Sequence, residues 1–240
     1  MIDWLRRTSA DLAIRIGERE LPLAIRRHAR ARRLVMRLAP DGSEVRVTLP
    51  RWGRTEDALV FARARLDWLE RQLAAVPQAR APRPGGTLGY RGAELAIDWH
   101  PAHPRKPRLE SDALCIGGPA ENLPARLQRW LEAEARQLLE MDLAFYCARA
   151  GHPVPALKLS RAQRRWGSCS DGIAIRINWR LVQAPDAVRR SVVAHEVAHL
   201  RHFDHSAAFH AHLGSLFEGD LTAADAWLKA HGRTLYATFG

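Results

Sequence analysis

Apolar and polar residues alternate in short stretches through the first half of the chain, and a period of two is typical of half-buried β-strands. The first set of such stretches covers residues 12–16, 21–25, 34–38 and 45–49. Asp41 and Gly42 mark a turn between the last two stretches, so we expect an antiparallel meander. Residues 55–75 instead repeat apolar positions at helical spacing, which predicts one helix that begins at Thr55.

The second half of the chain is predicted to combine further short strands with longer helices. The strands are expected at 87–90, 94–99, 108–110, 113–116, 156–160 and 173–181, with a turn at 167–172. A long amphipathic helix is expected over 121–150, where large apolar residues form one stripe. Another helix begins near Pro185, and two more follow Ser206 and a capping box formed by Thr222 and Asp225.

A segment rich in proline and glycine, 77–86, separates these two sets of elements and is typical of a linker. We therefore predict a strand-rich N-terminal lobe with one helix over 1–80 and a second lobe over 87–240. The same segment is also compatible with a long turn inside one integrated domain. The predicted fold class is α+β, with the helix after Pro185 packed on a mostly antiparallel sheet.

Composition bears on the compartment and on the partners. The 240 residues contain no apolar run long enough to span a membrane, and the first residues lack a signal-peptide core, so we expect a cytoplasmic protein without a membrane partner. The three scattered cysteines, Cys115, Cys147 and Cys169, are expected to be free thiols in a reducing compartment. The net charge of +11 permits binding to nucleic acid, although a general preference for arginine over lysine also accounts for it.

The stretch from His195 to His199 carries the clearest chemistry, because it places the motif H-E-x-x-H in a predicted helix. Histidines four residues apart lie on one helical face and can share one metal ion, for which zinc is the usual choice. Glu196 lies about 100° around the helix from His195, close enough to accept a proton from an attacking water. The motif predicts a zinc hydrolase with two histidine ligands and a glutamate general base.

A catalytic zinc ion needs a third protein ligand, and spacing alone leaves several candidates. They are His202, His205, His210, His212 and Glu218. His202 would lie about 10.5 Å from His195 along a continuous helix, which is a poor span for one ion. His205 can turn back towards the metal if the helix ends after about His202, and Glu218 is the carboxylate alternative. Spacing favours His205, although His202 occupies the turn-glycine position of the metzincins, so membership in that group is not expected.

Three motifs in order resemble those of the YgjP-like metallopeptidases, a bacterial zincin family related to the SprT-like and WLM proteases. They are Arg165-Trp166-Gly167-Ser168-Cys169, then Ile177-Asn178-Trp179-Arg180-Leu181, then the stretch from His195 to Phe209. The resemblance runs from about Ile25 to Lys229 and includes Arg32-Arg33-Leu34 and the segment from Trp68 to Leu73. Two positions depart from the family pattern: Asp204 stands where Asn is common, and His210 where Trp is common.

The resemblance implies a zincin-like fold with a strand-rich N-terminal lobe. It also implies one zinc ion per chain, held by His195, His199 and His205, with Glu196 as the catalytic base. The family likeness implies that the activity is that of a peptidase.

The first two motifs supply candidates for the rest of the site. Arg165 is a candidate to stabilise a developing oxyanion, or alternatively it packs the turn against the helix. Zincins commonly bind an extended peptide along an edge strand, and the 173–181 strand is the candidate for that edge. Trp166 and Asn178 are accordingly candidates for substrate contacts, whereas Cys169 is expected to be a small buried residue.

We therefore expect a zinc-dependent metallopeptidase that acts on a peptide or protein. One alternative is a zinc-dependent nucleotide or phosphoanhydride hydrolase in which arginines hold the anion. Another is a protease that acts on DNA-bound proteins, and a third is a structural zinc domain, which would have no need of Glu196 as a base.

Overall fold

The computed structural model describes residues 12–76, 81–170 and 174–239. The chain divides into two compact units, Met1–Gln78 and Ala79–Gly240. Both units mix helices with strands, so the predicted α+β fold class is confirmed. Residues 77–80 of the predicted linker and residues 171–173 of the predicted turn and strand lie outside the described ranges.

The first unit is built on a four-stranded sheet. Its strands are β1 (Ala13–Ile16), β2 (Arg19–Arg27), β3 (Val35–Leu38) and β4 (Val45–Leu49), in the order β1-β2-β4-β3. Because β2 and β4 pair in parallel, the predicted antiparallel meander is wrong. Leu23 of β2 and Val47 of β4 are almost fully buried, whereas Leu38 alone of the four β3 residues is buried. The parallel pair β2 and β4 forms the centre of the sheet, and β1 and β3 lie at its edges.

The predicted single helix of this unit is two helices, α1 (Thr55–Arg63) and α2 (Leu66–Ala74). The break lies at Arg65, whose φ of −127° and ψ of 26° are not helical. The backbone N–H of Arg65 donates to Ala62, and its guanidinium donates to the carbonyl of Phe61 instead. The Arg65 side chain thus satisfies the Phe61 carbonyl, which would accept the Arg65 backbone N–H in a continuous helix. No proline or glycine marks this break in the sequence.

The second unit begins with a sheet of the same design. Its strands are β5 (Thr87–Tyr90), β6 (Ala93–Trp99), β7 (Arg108–Glu110) and β8 (Ala113–Ile116), in the order β5-β6-β8-β7. As in the first unit, two antiparallel pairs flank a central parallel pair, here β6 with β8. The two units share this topology although the sequence shows no repeat.

A long helix, α3 (Leu123–Ala150), supplies the core of the second unit. Its fully buried stripe repeats every fourth residue and consists of Leu123, Leu127, Leu131, Ala135, Leu139 and Leu143. Gly151 ends the helix in the left-handed conformation, with a φ of 66°. The buried stripe belongs to the same apolar cluster as the core residues of β5, β6 and β8.

The remaining strands form a three-stranded sheet: β9 (Ala156–Ser160), β10 (Gly167–Ser170) and β11 (Ala174–Asn178), in the order β10-β11-β9. The strand predicted as a substrate-binding edge, β11, is therefore the central strand, and β10 lies at an edge. β11 also ends earlier than predicted, because the Asn178 side chain accepts a hydrogen bond from the Arg180 N–H and starts a 3-10 helix over Trp179–Gln183.

Three helices complete the second unit: α4 (Asp186–Ala198), α5 (Ala207–Leu216) and α6 (Leu221–His231). The cap of α6 differs from the predicted capping box, because the Asp220 carboxylate accepts the N–H groups of Thr222 and Ala223. In the described part of the chain, no helix combines the length and the apolar character that crossing a membrane requires.

A buried ion pair joins α4 to α3. The Arg189 side chain is almost fully buried, and it donates from Nε to the Asp142 carboxylate at 2.8 Å and from Nη1 to Asp186 at 2.5 Å. We expect Asp142→Ala to lower the free energy of unfolding by about 3 kcal/mol, because it leaves a buried guanidinium with one carboxylate partner. Denaturant unfolding measures this loss.

The matched control for this prediction is Glu140→Ala on the same helix. Glu140 pairs with Arg136 at 3.8 Å on the surface, where an ion pair contributes about 0–1 kcal/mol. Equal losses of unfolding free energy in the two variants would show that the buried ion pair contributes no more than the exposed one.

Candidate active site

Two of the predicted metal ligands lie at the end of α4. His195 is in its last turn, and His199 is the residue that caps it. The helix is buried around them, since Val193 and Val197 have no exposed surface. The four-residue spacing brings the two Nε2 atoms to 3.1 Å from each other.

The chain leaves α4 in a tight turn that returns His205 to the same place. The N–H groups of Arg201 and His202 both donate to the carbonyl of Ala198, which ends the helix. As a result, Nε2 of His205 lies 3.2 Å from Nε2 of His195. Each of the three histidines offers a ring nitrogen, and these atoms lie within 4.8 Å of one another.

The three imidazoles fit a tetrahedral metal ion. Bond lengths of about 2.0–2.1 Å to one ion place ligand nitrogens roughly 3.3–3.4 Å apart, close to the two shortest separations here. Nδ1 of His199 lies 2.9 Å from the carbonyl oxygen of His202, and donation to that oxygen leaves the Nε2 lone pair free. Burial and the neighbouring histidines lower the pKa of His195 to about 4, which favours the neutral form that binds metals.

The other candidates for a third ligand lie outside this cluster, although the His210 ring centroid is 6.4 Å from that of His205. The carboxylate of Glu218 accepts from Arg190 at 2.5 Å and from the Tyr146 hydroxyl at 2.9 Å. His202 places its ring against that of His212, with 5.6 Å between the centroids. Among the described residues, the cluster that includes His195 contains His199 and His205 and none of these alternatives.

The Glu196 side chain extends from α4 towards the edge strand β10. Its side chain is nearly buried, and burial raises its pKa to about 7, against the opposing effects of a backbone hydrogen bond from Cys169 and the charge of Arg165. A Cβ atom on Gly167 would lie 2.4 Å from the Glu196 Oε1 atom. Glycine at this position is therefore required for the carboxylate to reach its place beside the strand.

A cleft of about 490 Å³ opens next to Glu196 and His195. Its apolar lining includes Val192, Leu213, Leu221 and Leu228. Arg165, Trp166 and Asp225 also line it, so polar groups stand beside an apolar surface. This combination is typical of sites that bind an organic ligand in one orientation.

The three residues predicted from the first two motifs have different positions. The exposed Arg165 side chain lines the cleft near Glu196, and the half-buried Trp166 lines it while packing 5.7 Å from the Tyr236 ring. Asn178 is fully buried instead, and its amide donates to the Ala162 carbonyl and the Tyr236 hydroxyl. We leave Asn178 out of the proposed substrate contacts, since an amide with these internal partners cannot reach a bound peptide.

Phe209 is a site residue to which the sequence motifs assigned no role. Its fully buried ring contacts all three histidines, with centroid distances of 5.0 Å to His195, 4.6 Å to His199 and 4.9 Å to His205. Ser206 caps α5 by accepting from the Phe209 N–H, which fixes the ring's position. The signal for this role in the sequence is an aromatic residue four positions after the third histidine.

Residues 32–231 match the family model described as "YgjP-like, metallopeptidase domain". No curated protein and no solved structure matches the chain significantly. The matched segment covers well over half of the chain and includes all of the site residues described above.

Proposed function

The chain belongs to the YgjP-like metallopeptidase family, and from that premise we propose that it hydrolyses peptide bonds with one zinc ion and a glutamate general base. In this proposal His195, His199 and His205 hold the zinc, and Glu196 is the base. The second unit then has a zincin-like arrangement, with α4 as the motif helix. The substrate is a peptide or protein.

One observation carries the proposal. Three imidazole nitrogens converge within 4.8 Å, and the side chain that follows the first of them in sequence is a nearly buried carboxylate that borders the cleft. A structural zinc site has no need of such a carboxylate, and burying a carboxylate costs free energy that hydrogen bonds or a charge partner must offset. The combination of three imidazole donors with an adjacent base supports hydrolysis.

The chain's own residues account for the proton transfers. When bound, zinc supplies Lewis-acid chemistry that polarises a carbonyl and lowers the pKa of water. Glu196 accepts a proton from the attacking water and returns it to the departing amine. Burial beside Gly167 and the Cys169 backbone holds the carboxylate in one orientation, so it needs little reorganisation during the reaction.

The edge strand β10 is the proposed place for the substrate backbone. Within the described residues it pairs with β11 on one side, and Gly167 and Cys169 of the strand contact Glu196. An extended peptide added along this edge would gain main-chain hydrogen bonds and pass close to the base. The apolar lining of the cleft would then receive a substrate side chain.

An activity screen of the purified, zinc-loaded chain tests the proposal. We expect cleavage of casein or a DNA-bound protein, with Glu196→Gln as the inactive control. Cleavage restricted to DNA-bound proteins would favour the narrower protease function. Hydrolysis of nucleoside triphosphates without peptide cleavage would replace the proposal by the phosphoanhydride hydrolase, for which an exposed arginine in the cleft is the supporting observation.

Arg165→Ala is expected to lower kcat by about 10²–10³-fold, the size of effect seen for one oxyanion donor. The reason is its position in the cleft next to Glu196, where a guanidinium can stabilise the tetrahedral intermediate. The melting temperature should change little, because the side chain is exposed. Steady-state kinetics and thermal unfolding on one preparation measure both.

Arg164→Ala is the matched control, since Arg164 is an equally exposed neighbour outside the set of residues that line the cleft. Arg165→Lys asks whether charge alone suffices or the planar guanidinium is needed. A lower melting temperature with normal turnover would instead identify Arg165 as a brace for the turn.

A further inference from the structure

A second group of metal-ligating side chains lies on the sheet β5-β6-β8-β7. Asp98 of β6 and Cys115 of β8 are register partners in the parallel ladder, so both side chains leave the sheet on the same face. Leu114 and Ile116, on either side of Cys115, are fully buried in the core. Cys115 therefore points to the face away from that core.

The loop between β6 and β7 folds back over this outer face and contributes a third side chain, His103. Nδ1 of His103 lies 3.8 Å from Oδ2 of Asp98. The N–H of Gly117 donates to the carbonyl of Pro104 at 2.9 Å, which ties the loop to the end of β8. A Cβ atom on Gly117 would lie 2.0 Å from the His103 carbonyl oxygen, so the close approach of the loop requires this glycine.

The loop leaves Cys115 9% exposed although its side chain is on the outer face. Sγ of Cys115 lies 3.4 Å from Oδ2 of Asp98, and the ligand atoms of Asp98, His103 and Cys115 all lie within 4.8 Å of one another. Zinc bonds of about 2.0–2.3 Å place tetrahedral ligand atoms roughly 3.3–3.8 Å apart. The 3.4 Å from Sγ to Oδ2 and the 3.8 Å from Nδ1 to Oδ2 are already in this range. Side-chain rotations can adjust the remaining distance, between Sγ and the His103 nitrogen.

We propose that Asp98, His103 and Cys115 form a second metal site, for Zn²⁺ or a similar borderline divalent ion, independent of the histidine cluster. One sulfur, one nitrogen and one oxygen donor suit zinc or cobalt and do not suit Mg²⁺ or Ca²⁺, which prefer oxygen alone. Three protein ligands leave a fourth position for water. On binding, the ion replaces the thiol proton of Cys115, which leaves to solvent.

Two carboxylates, those of Asp98 and Glu110, lie within hydrogen-bonding reach of the Cys115 thiol, and their negative charge favours a cation there. Burial, followed by hydrogen bonds to the carboxylates of Asp98 and Glu110, raises the pKa of Cys115 to about 11. Without an ion, the thiol therefore keeps its proton and donates it to Asp98. An ion can reach the site from solvent, because the side chain of Asp98 is 53% exposed and that of His103 is 32% exposed. An ion bound here would join the loop to both strands of the parallel pair.

Cobalt(II) titration of the full-length, metal-free chain under reducing conditions tests the site. A cysteine ligand gives cobalt a near-ultraviolet sulfur-to-metal charge-transfer absorption, which histidines alone do not give. We expect this absorption in the wild type and its loss in Cys115→Ala. Cys147→Ala and Cys169→Ala, at the chain's two other cysteines, should keep it. Asp98→Asn and His103→Gln should each weaken cobalt binding at this site by about tenfold or more.

The outcomes separate this site from the proposed catalytic one. His195→Ala should remove the other bound ion and leave the charge-transfer absorption unchanged, whether or not the protein is a peptidase. Absence of the absorption in the wild type, or its persistence in Cys115→Ala, would overturn the second site. If Cys115→Ala does not fold, the Asp98→Asn and His103→Gln variants decide, since both positions are more accessible than Cys115, and unchanged cobalt affinity in both would also overturn the second site.

Discussion

Glu196→Gln is expected to lower kcat by about 10²–10⁴-fold, the contribution that general-base catalysis typically makes. The amide has nearly the same shape as the carboxylate, so it fits beside Gly167 and can still accept from the Cys169 backbone. It cannot accept the proton of the attacking water. Peptide cleavage by the variant, measured at equal zinc content, gives the size of the effect.

Two further measurements make this result specific. Zinc content and melting temperature should match those of the wild type, because neither the ligands nor the packing change. Glu140→Gln, the same substitution on the exposed surface of α3, should leave turnover unchanged. Turnover by Glu196→Gln within about tenfold of the wild type would remove Glu196 from the role of base.

His205→Ala is expected to release the zinc held by the histidine cluster and to abolish hydrolysis. Two imidazoles from one helix would remain, which is one fewer than the three protein ligands of a catalytic zinc site. We expect zinc affinity to fall by more than about 100-fold, beyond the 10–100-fold typical of losing an outer-shell partner. Competition with a chromophoric chelator measures the affinity, and the cobalt–thiolate absorption reports separately on the site at Cys115.

His210→Ala is the matched control for His205→Ala, because His210 lines the same cleft and lies outside the three-histidine cluster. It should keep the zinc. Full retention of zinc by His205→Ala, together with its loss from Glu218→Ala, would show that the carboxylate is the third ligand. The present geometry disfavours that result, since Glu218 is engaged by Arg190 and Tyr146.

Local periodicity was sufficient for most of the elements, but pairing between strands was not predictable from it. A period of two marks a half-buried strand wherever it pairs, so the stretches around Leu23 and Val47 indicated strands without indicating their parallel alignment. The same limit explains why β11 was expected at an edge and lies at the centre. The break at Arg65, where a side-chain hydrogen bond to the Phe61 carbonyl replaces the backbone one, leaves no mark in the apolar pattern.

The sequence by itself determined the motif helix, the i and i+4 placement of His195 and His199, and Glu196 beside them, because helical geometry follows from spacing alone. Only the tertiary structure brought His205 to this pair, placed Gly167 against Glu196, and buried Asn178. Each of these depends on how separate elements pack and on where a turn redirects the chain. The group of Asp98, His103 and Cys115 has the same origin, since a strand register and a folded loop bring together residues up to 17 positions apart.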